Sequence, residues 1–318
     1  MRTFFFEWQD FEALVAENAH MHFGDKAEFT DEVFSLGKVN GHEAISIFVD
    51  SRISDLDLLA LKEKGVKLIT LRCAGFNMLN VEKAKELGIK VTRVASYSPE
   101  SIAEFVFSLI LTLARKLPRQ REAHQKGDQK RTVADMGFTL RGKTLGLHGL
   151  GKIGKEVADI ASLGFKMQVV FYDPFISQDQ IDDYTSPRKG VYKKVDTVAE
   201  LYKQANIVSI HVPLMDTTAN SVNAELLSLV TENFMLINSA RGGIVHTEDM
   251  LNAIKSGKVQ YFGTDVWGAE DKFQKELLAE NTVQTNHVAF FTEEAVHSIV
   301  AQTLESLSDQ ARPENILA

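Results

Sequence analysis

The sequence has one cysteine, Cys73, so no disulfide can form within the chain, and such thiol use suits a reducing cytoplasm. Prolines are few, six in 318 residues, and no Pro- or Ser-rich stretch marks a flexible linker. Long hydrophobic runs are missing. The longest, FVFSLILTLA at 105–114, is too short to span a bilayer and reads as a buried helix. The N-terminal MRTFFFEWQDFEAL meets Glu7 and Asp10 before a signal-peptide core can form. Basic excess is also absent. Thirty-five basic residues against 43 acidic give a net charge of −8, which argues against nucleic acid or an anionic membrane as partner. A small anionic substrate in a locally positive cleft stays compatible with that balance.

What is present is an ordinary globular composition, 44% hydrophobic and 25% charged, in a chain long enough for about two domains. Strand-like and helix-like patterns alternate. TFFF, AISIFV, KLITL and IKVTR fall in the first hundred residues, with helical patterns such as WQDFEALVAENAH and DLDLLALKEKG between them. From 143 the alternation restarts with KTLGLH, MQVVFYD, NIVSIHV, FMLIN, VQYFGTDV and NTVQTNH. Parallel strands need crossovers, so this order predicts an α/β chain of parallel sheets with helices on both faces. Between the blocks lies one helical pattern from Pro99 to about Lys116, then a basic stretch, RKLPRQREAHQKGDQKR, that reads as a solvated helical surface or subunit arm. A last amphipathic helix follows Thr292, which caps it with Glu293 and Glu294 in the first turn.

One glycine pattern carries chemistry. GLGKIG supplies Gly149, Gly151 and Gly154 between a strand pattern and a helical one. There the first glycine makes the tight turn, the second admits a pyrophosphate close to the backbone, and the third lets the helix pack close to the sheet. Asp173 ends the next strand, VVFYDP, about 20 positions on, where a carboxylate accepts the ribose hydroxyls of NAD and repels a 2′-phosphate. Arg188, Lys189, Lys193 and Lys194 lie beyond a loop, so NAD is favoured over NADP.

Hydride chemistry then needs side chains at the carboxyl ends of the same strands. Arg241 follows FMLINSA and precedes Gly242-Gly243; Asp265 ends VQYFGTDV; His287 ends NTVQTNH. Arginine offers a planar fork matched to a carboxylate. Histidine exchanges a proton near neutral pH, and a nearby carboxylate such as Glu270 favours its charged donor form. A lone histidine before two phenylalanines is otherwise an ordinary core ring.

These stretches, with LRCAGFNMLNVEKAKELG (71–88), YSPESIAEF (97–105), HVPL (211–214), NSARGG (238–243) and HVAFFT (287–292), resemble the D-isomer-specific 2-hydroxyacid dehydrogenase family over nearly the whole chain. YSP and HVAF point to its lactate and hydroxyisocaproate branch, closest to the fermentative D-lactate enzymes. The resemblance implies two doubly wound parallel-sheet domains. A Rossmann NAD-binding domain (99–291) would be inserted in a flavodoxin-like substrate domain (1–98), to which a C-terminal helix (292–318) returns. It implies Arg241, Glu270 and His287 as the catalytic set, with Ala74, Gly75, Tyr97 and Phe290 around the substrate. Gly149, Gly151, Lys152, Ile153, Gly154, Asp173, Val212, Pro213, Thr218, Ser239 and Asp265 would hold NAD, with Asp265 at the nicotinamide end. No metal is implied. Cys73 is expected to be small buried filler, and Phe291 to pack beneath the closing helix. Two departures concern the pocket wall: Trp267-Gly268 stands where relatives often have Tyr-Glu, and the Glu270–His287 connection is short. Pyruvate is the expected substrate, with bulkier 2-oxo acids or a non-catalytic NAD(H)-sensing protein as alternatives. A homodimer or higher homo-oligomer is expected, with residues 117–140 as the arm.

Overall fold

The computed structural model describes residues 1–8, 17, 24–128, 130–186, 190–267 and 281–318. Two compact units divide the chain: Met1–Ser98 together with Phe291–Ala318, and the continuous Pro99–Phe290.

The first unit is built on five parallel strands, β1 (Thr3–Phe5), β2 (Ala27–Phe29), β3 (Ala44–Ile47), β4 (Leu68–Leu71) and β5 (Lys90–Arg93), in the order β2-β1-β3-β4-β5. β1, β3 and β4 are buried along their whole length, which is why they read as unbroken apolar runs rather than alternating ones. Helices α1 (Asp55–Glu63) and α2 (Val81–Glu86) open on side-chain caps from Ser54 and Asn80. Phe5, Ala44 and Leu68 pack with Val296, Val300 and Leu307 of the C-terminal helix, α10 (Glu293–Leu307). Thr292 caps α10 by accepting from the Ala295 N–H, with Glu293 and Glu294 in the first turn, as its sequence predicts. The last residues then pair with β5, Leu317 N–H donating to Val91 at 2.9 Å. Most of the helical pattern at 8–20 lies outside the described residues.

The second unit opens with α3 (Pro99–Ala114), whose Val106, Phe107, Leu109, Ile110 and Leu113 are buried. The single helix expected to run to Lys116 stops at Ala114: Lys116 adopts φ +52°, and α4 (Leu117–Gln125) restarts with Pro118 in its first turn. Proline disfavours helix at the residue before it and is tolerated only at a helix start. α4 buries no residue, the solvated face that its charges predict.

Seven parallel strands follow: β6 (Thr144–His148), β7 (Gln168–Tyr172), β8 (Tyr192–Lys194), β9 (Ile207–Ile210), β10 (Phe234–Asn238), β11 (Val259–Thr264) and β12 (Thr282–Gln284). Their order is β12-β11-β10-β9-β6-β7-β8. The chain runs outward one way from β6 and returns to continue on the other side through β9, so the switch point lies between β6 and β9. One face packs on α3 and α5 (Lys152–Asp159), through Leu145, Leu147 and Val157. The other face buries Val208, Ile210 and Leu236 against α7 (Val198–Gln204), α8 (Ala224–Ser228) and α9 (Thr247–Lys255). The described parts of the segment 175–195 (175–186 and 190–195) include α6 (Gln178–Tyr184) and the edge strand β8. Tyr184 and Tyr192 hydroxyls tie it to Asp159 on α5 at 2.7 and 2.5 Å. Among the described residues no helix is long and apolar enough to cross a membrane.

Candidate active site

In a parallel sheet all carboxyl ends lie along one edge, and the second unit collects its polar loops there. Gly149 follows β6 with φ +98°, and a Cβ on it would meet the His211 backbone at 2.9 Å. Gly154 has no room either, since its Cβ would lie 2.6 Å from the Gly149 oxygen. Gly151, the N-cap of α5, faces open space. Two glycines are therefore fixed by the turn, and the middle one leaves bare backbone for a phosphate to approach. Lys152 and Ile153 form the first turn of α5, Lys152 exposed and Ile153 packed on the core.

Asp173 follows β7 and is held from both sides. One carboxylate oxygen accepts from the Leu150 N–H of the glycine turn at 2.9 Å, the other from Phe175 N–H at 2.9 Å. A carboxylate so placed beside the turn suits a ribose diol and opposes a 2′-phosphate. Residues 187–189, with Arg188 and Lys189, lie outside the described residues, and the Lys194 ammonium is spent on the Ile176 carbonyl. Val212 and Pro213 follow β9, and Thr218 closes their turn by donating to the Pro213 carbonyl at 2.6 Å and accepting from Met215 N–H at 2.8 Å. His148, the last residue of β6 before the glycine turn, is buried, and burial lowers its pKa to about 4 against the opposing pull of Asp173. His211 is lowered to about 3, mainly by burial. Both rings are neutral, framework groups rather than proton donors.

Across the switch point stand the chemical groups. Ser239 follows β10, its hydroxyl buried and without a partner among the described residues. Asn238, itself buried, donates to the Arg241 carbonyl at 3.0 Å and accepts from Ala240 N–H at 3.1 Å, which fixes the turn after the strand. Arg241 spends one guanidinium hydrogen on the Ala240 carbonyl at 2.7 Å. Among the described residues it pairs with no carboxylate. Asp265, fully buried, accepts from Thr285 Oγ1 at 2.5 Å, Val288 N–H at 2.9 Å and Ala289 N–H at 2.7 Å. Its carboxylate thus clamps the turn that carries His287. His287 has φ +56°, a conformation uncommon outside glycine and asparagine. It is exposed, not a core histidine, and its ring meets Phe290 edge-on at 6.4 Å between centroids. Phe291, expected to pack under the last helix, is instead 46% exposed. Glu270 and most of its connection to His287 lie outside the described residues.

In the first unit the loop after β4 carries Ala74 and Gly75. Among the described residues neither N–H finds an acceptor, although both residues are half-buried; unpaired amides of this kind are a ready seat for an anion. Cys73 is buried, as expected of a small filler, and its thiol also donates to the Gly75 carbonyl at 3.3 Å. Tyr97 lies, half-buried, in the extended segment after β5. Two buried amides from the C-terminal segment hold that segment: Asn315 accepts from Ala95 N–H, and Gln302 donates to the Ser96 carbonyl, both at 2.9 Å. Asn238, Thr285, Gln302 and Asn315 were not singled out in the sequence, because each acts on backbone that only the fold brings near.

Residues 107–289 match the family model described as D-isomer specific 2-hydroxyacid dehydrogenase, NAD binding domain. The chain is 34% identical over 330 residues to 2-hydroxyacid dehydrogenase homolog 2 of Schizosaccharomyces pombe, covering 97% of this chain and 96% of that one. It is 32% identical over 334 residues to D-lactate dehydrogenase of Escherichia coli, covering 99% and 98%. The apo-structure of the Escherichia coli enzyme superposes over the whole of both chains with a TM-score of 0.85 at 31% identity. D-lactate dehydrogenase from Aquifex aeolicus, solved with NAD and lactic acid, gives 0.84 at 26% identity over 96% of this chain and 94% of that one. The chain therefore belongs to the D-isomer-specific 2-hydroxyacid dehydrogenase family and carries that family's NAD-binding domain.

Proposed function

We propose that the protein is a D-lactate dehydrogenase, reducing pyruvate with NADH and running in reverse with D-lactate and NAD. The observation that carries this is the division of one sheet edge. The glycine turn and Asp173 follow β6 and β7, while Arg241, Asp265 and His287 follow β10, β11 and β12 on the other side of the switch point. A dinucleotide held across that edge would have its adenosine half at the first group and its nicotinamide at the second. Val212, Pro213, Thr218 and Ser239 line the span between, and Asp265 acts at the nicotinamide end through the turn that it holds.

NADH held by the glycine turn and Asp173 would supply a hydride to the carbonyl carbon. Arg241 binds the carboxylate and polarises the carbonyl, a task that suits a guanidinium with no carboxylate partner among the described residues. The His287 imidazolium donates its proton to the carbonyl oxygen as the hydride arrives, leaving a hydroxyl and a neutral ring; oxidation runs the same steps backwards. Glu270 is assigned as the partner that orients the ring. The Ala74 and Gly75 amides hold the carboxylate, Tyr97 contacts the substrate, and Phe290 walls the side-chain pocket. The single cysteine favours a cytoplasmic setting, and a homodimer or higher homo-oligomer is the inferred assembly.

The test is a substrate panel scored by kcat/KM, with both coenzymes and both lactate enantiomers. Pyruvate, D-lactate and NAD(H) are the expected preferences. Pyruvate falling well below 2-oxoisocaproate or phenylpyruvate would sink the lactate assignment, and tight NADH binding without turnover would favour a sensor.

A further inference from the structure

Beside the unpaired amides of Ala74 and Gly75 lies a cation that the chemistry above does not use. Arg93 is the last residue of β5, next to β4, and its Nη1 donates to the Ala74 carbonyl at 2.9 Å. Its Cζ lies over the Phe76 ring, 5.1 Å from the ring centre, so the loop meets the group on two sides. Its Nε–H is buried without an acceptor, and among the described residues Arg93 forms no ion pair. Burial pulls its pKa down, as expected of a cation left without an anion, and the Cys73 thiol opposes that pull.

The geometry of one peptide unit gives this contact a consequence. In a trans peptide the carbonyl of residue i and the N–H of residue i+1 point in opposite directions. A cation on the Ala74 oxygen therefore fixes the plane of the Ala74–Gly75 peptide and turns the Gly75 N–H to the far side. Hydrogen bonds in a chain polarise one another, so a positive donor on the carbonyl makes the N–H a stronger donor. The Cys73 thiol, bonded to the Gly75 carbonyl, acts in the same sense on the following peptide.

We propose that Arg93 is a positioning residue for the substrate carboxylate, orienting and polarising the Ala74–Gly75 peptide so that the Gly75 N–H binds the carboxylate as a charge-assisted donor. The proposal rests on the reading of Ala74 and Gly75 as carboxylate-binding amides. A plainly structural arginine would hold the loop without favouring any substrate group, and its loss would lower stability and turnover together.

The experiment compares wild type, Arg93→Lys and Arg93→Met. It reads kcat and KM for pyruvate, the Kd of oxamate on the NADH complex by quenching of NADH fluorescence, and the Kd of NADH itself. In Arg93→Met the pyruvate KM and the oxamate Kd should each rise about tenfold, the loss of one charge-assisted contact. Saturated kcat and NADH affinity should stay within about twofold. Arg93→Lys, which keeps a cation without the planar fork, should recover part of the loss. If Arg93→Met fails to fold, Arg93→Lys and Phe76→Leu decide: a rise of about threefold in oxamate Kd supports the role, and unchanged binding overturns it. Unchanged oxamate binding in Arg93→Met, or a fall in kcat matching the rise in KM, overturns the role of Arg93 while leaving the site assignment standing. A wild-type enzyme that neither reduces pyruvate nor binds oxamate overturns that assignment, and this inference with it.

Discussion

His287 shows how a residue type and its position combine. The sequence HVAFF fits a buried ring as well as a proton donor, and what keeps the residue out of the core is a carboxylate 22 positions earlier in the chain (287 − 265). Asp265 binds two backbone N–H groups and one hydroxyl of the turn, and this holds His287 at φ +56° with its ring exposed. Strain of that sort costs about 1–3 kcal/mol and persists only where neighbours over-determine it. His287→Gln should lower kcat by about 100-fold or more, the usual share of a general acid, with NADH affinity nearly unchanged in a fluorescence titration. Near-normal turnover would refute the assignment. Asp265→Asn leaves the ring but loosens its turn; kcat should fall about tenfold to 100-fold, since a displacement of about 1 Å is enough for that. Stability should fall by about 1–3 kcal/mol through unsatisfied buried amides. A stability loss without a kcat loss would make the clamp purely structural. Arg241→Lys replaces the fork by a point charge and should raise pyruvate KM as well as reduce kcat; a pure kcat effect would remove Arg241 from carboxylate binding. The places of Arg241 and His287 after strand patterns could be read in the sequence, Arg241 after the wholly buried β10 and His287 after the short, partly buried edge strand β12. The role of Asp265 was only half legible: its place at a strand end could be read, but not the atoms it binds.

At the scale of elements, hydrophobic pattern sufficed wherever a strand is buried on both faces. It failed for β2, Ala-Glu-Phe, and β8, Tyr-Lys-Lys, each three residues long and at a sheet edge. Edge strands are kept short and charged, which protects them from pairing with other chains and removes the signal that reveals them. β6 carries a different hidden feature. Its last residue, His148, is buried just before the glycine turn, its Nδ1 without a partner among the described residues. The folded pKa is about 4, below the usual value of about 6.5 for an unfolded histidine. Between those values the unfolded chain binds the proton and the folded one does not, so stability rises with pH across that window. The contribution is complete above about pH 6.5 and is lost as pH falls toward 4, with a limit of about 3 kcal/mol from one ring. His148→Phe, similar in shape among Tyr172 and Tyr202, should flatten the fall of Tm between pH 6.5 and 4. An unaltered slope would show that other groups, His211 foremost, govern acid lability.

For the molecule as a whole, sequence order predicted parallel sheets in two blocks, because helix and strand periods survive without knowledge of packing, whereas the return of the last helix to the first unit was implied only by the family resemblance. Assembly leaves no such period, only surface chemistry. Leu111, Leu117 and Met136 line one groove of the second unit, and Val133 lies close by in the chain. Their exposures run from 36% for Leu111 through 51% and 65% for Leu117 and Met136 to 81% for Val133. Single exposed apolar residues need no explanation, but a cluster marks a surface that meets another protein. Here the cluster is bordered by Arg115, Gln120 and Arg131 and by the Arg119–Asp135 ion pair at 2.8 Å, the polar rim that interfaces carry. A second copy of the chain is the partner inferred for it, through Leu117, Val133 and Met136 of the 117–140 stretch and Leu111 just before it. Sedimentation equilibrium of the wild type should therefore give a dimer or larger species. Val133→Lys with Met136→Lys should shift it toward monomer, since two buried ammonium groups without partners outweigh the contacts that remain. NADH affinity should persist in that monomer, because neither residue belongs to the glycine turn or to the strand ends assigned to the cofactor. A wild type that stays monomeric at every concentration tested would end the assembly reading, and a double variant that still dimerises would move the interface elsewhere on the chain.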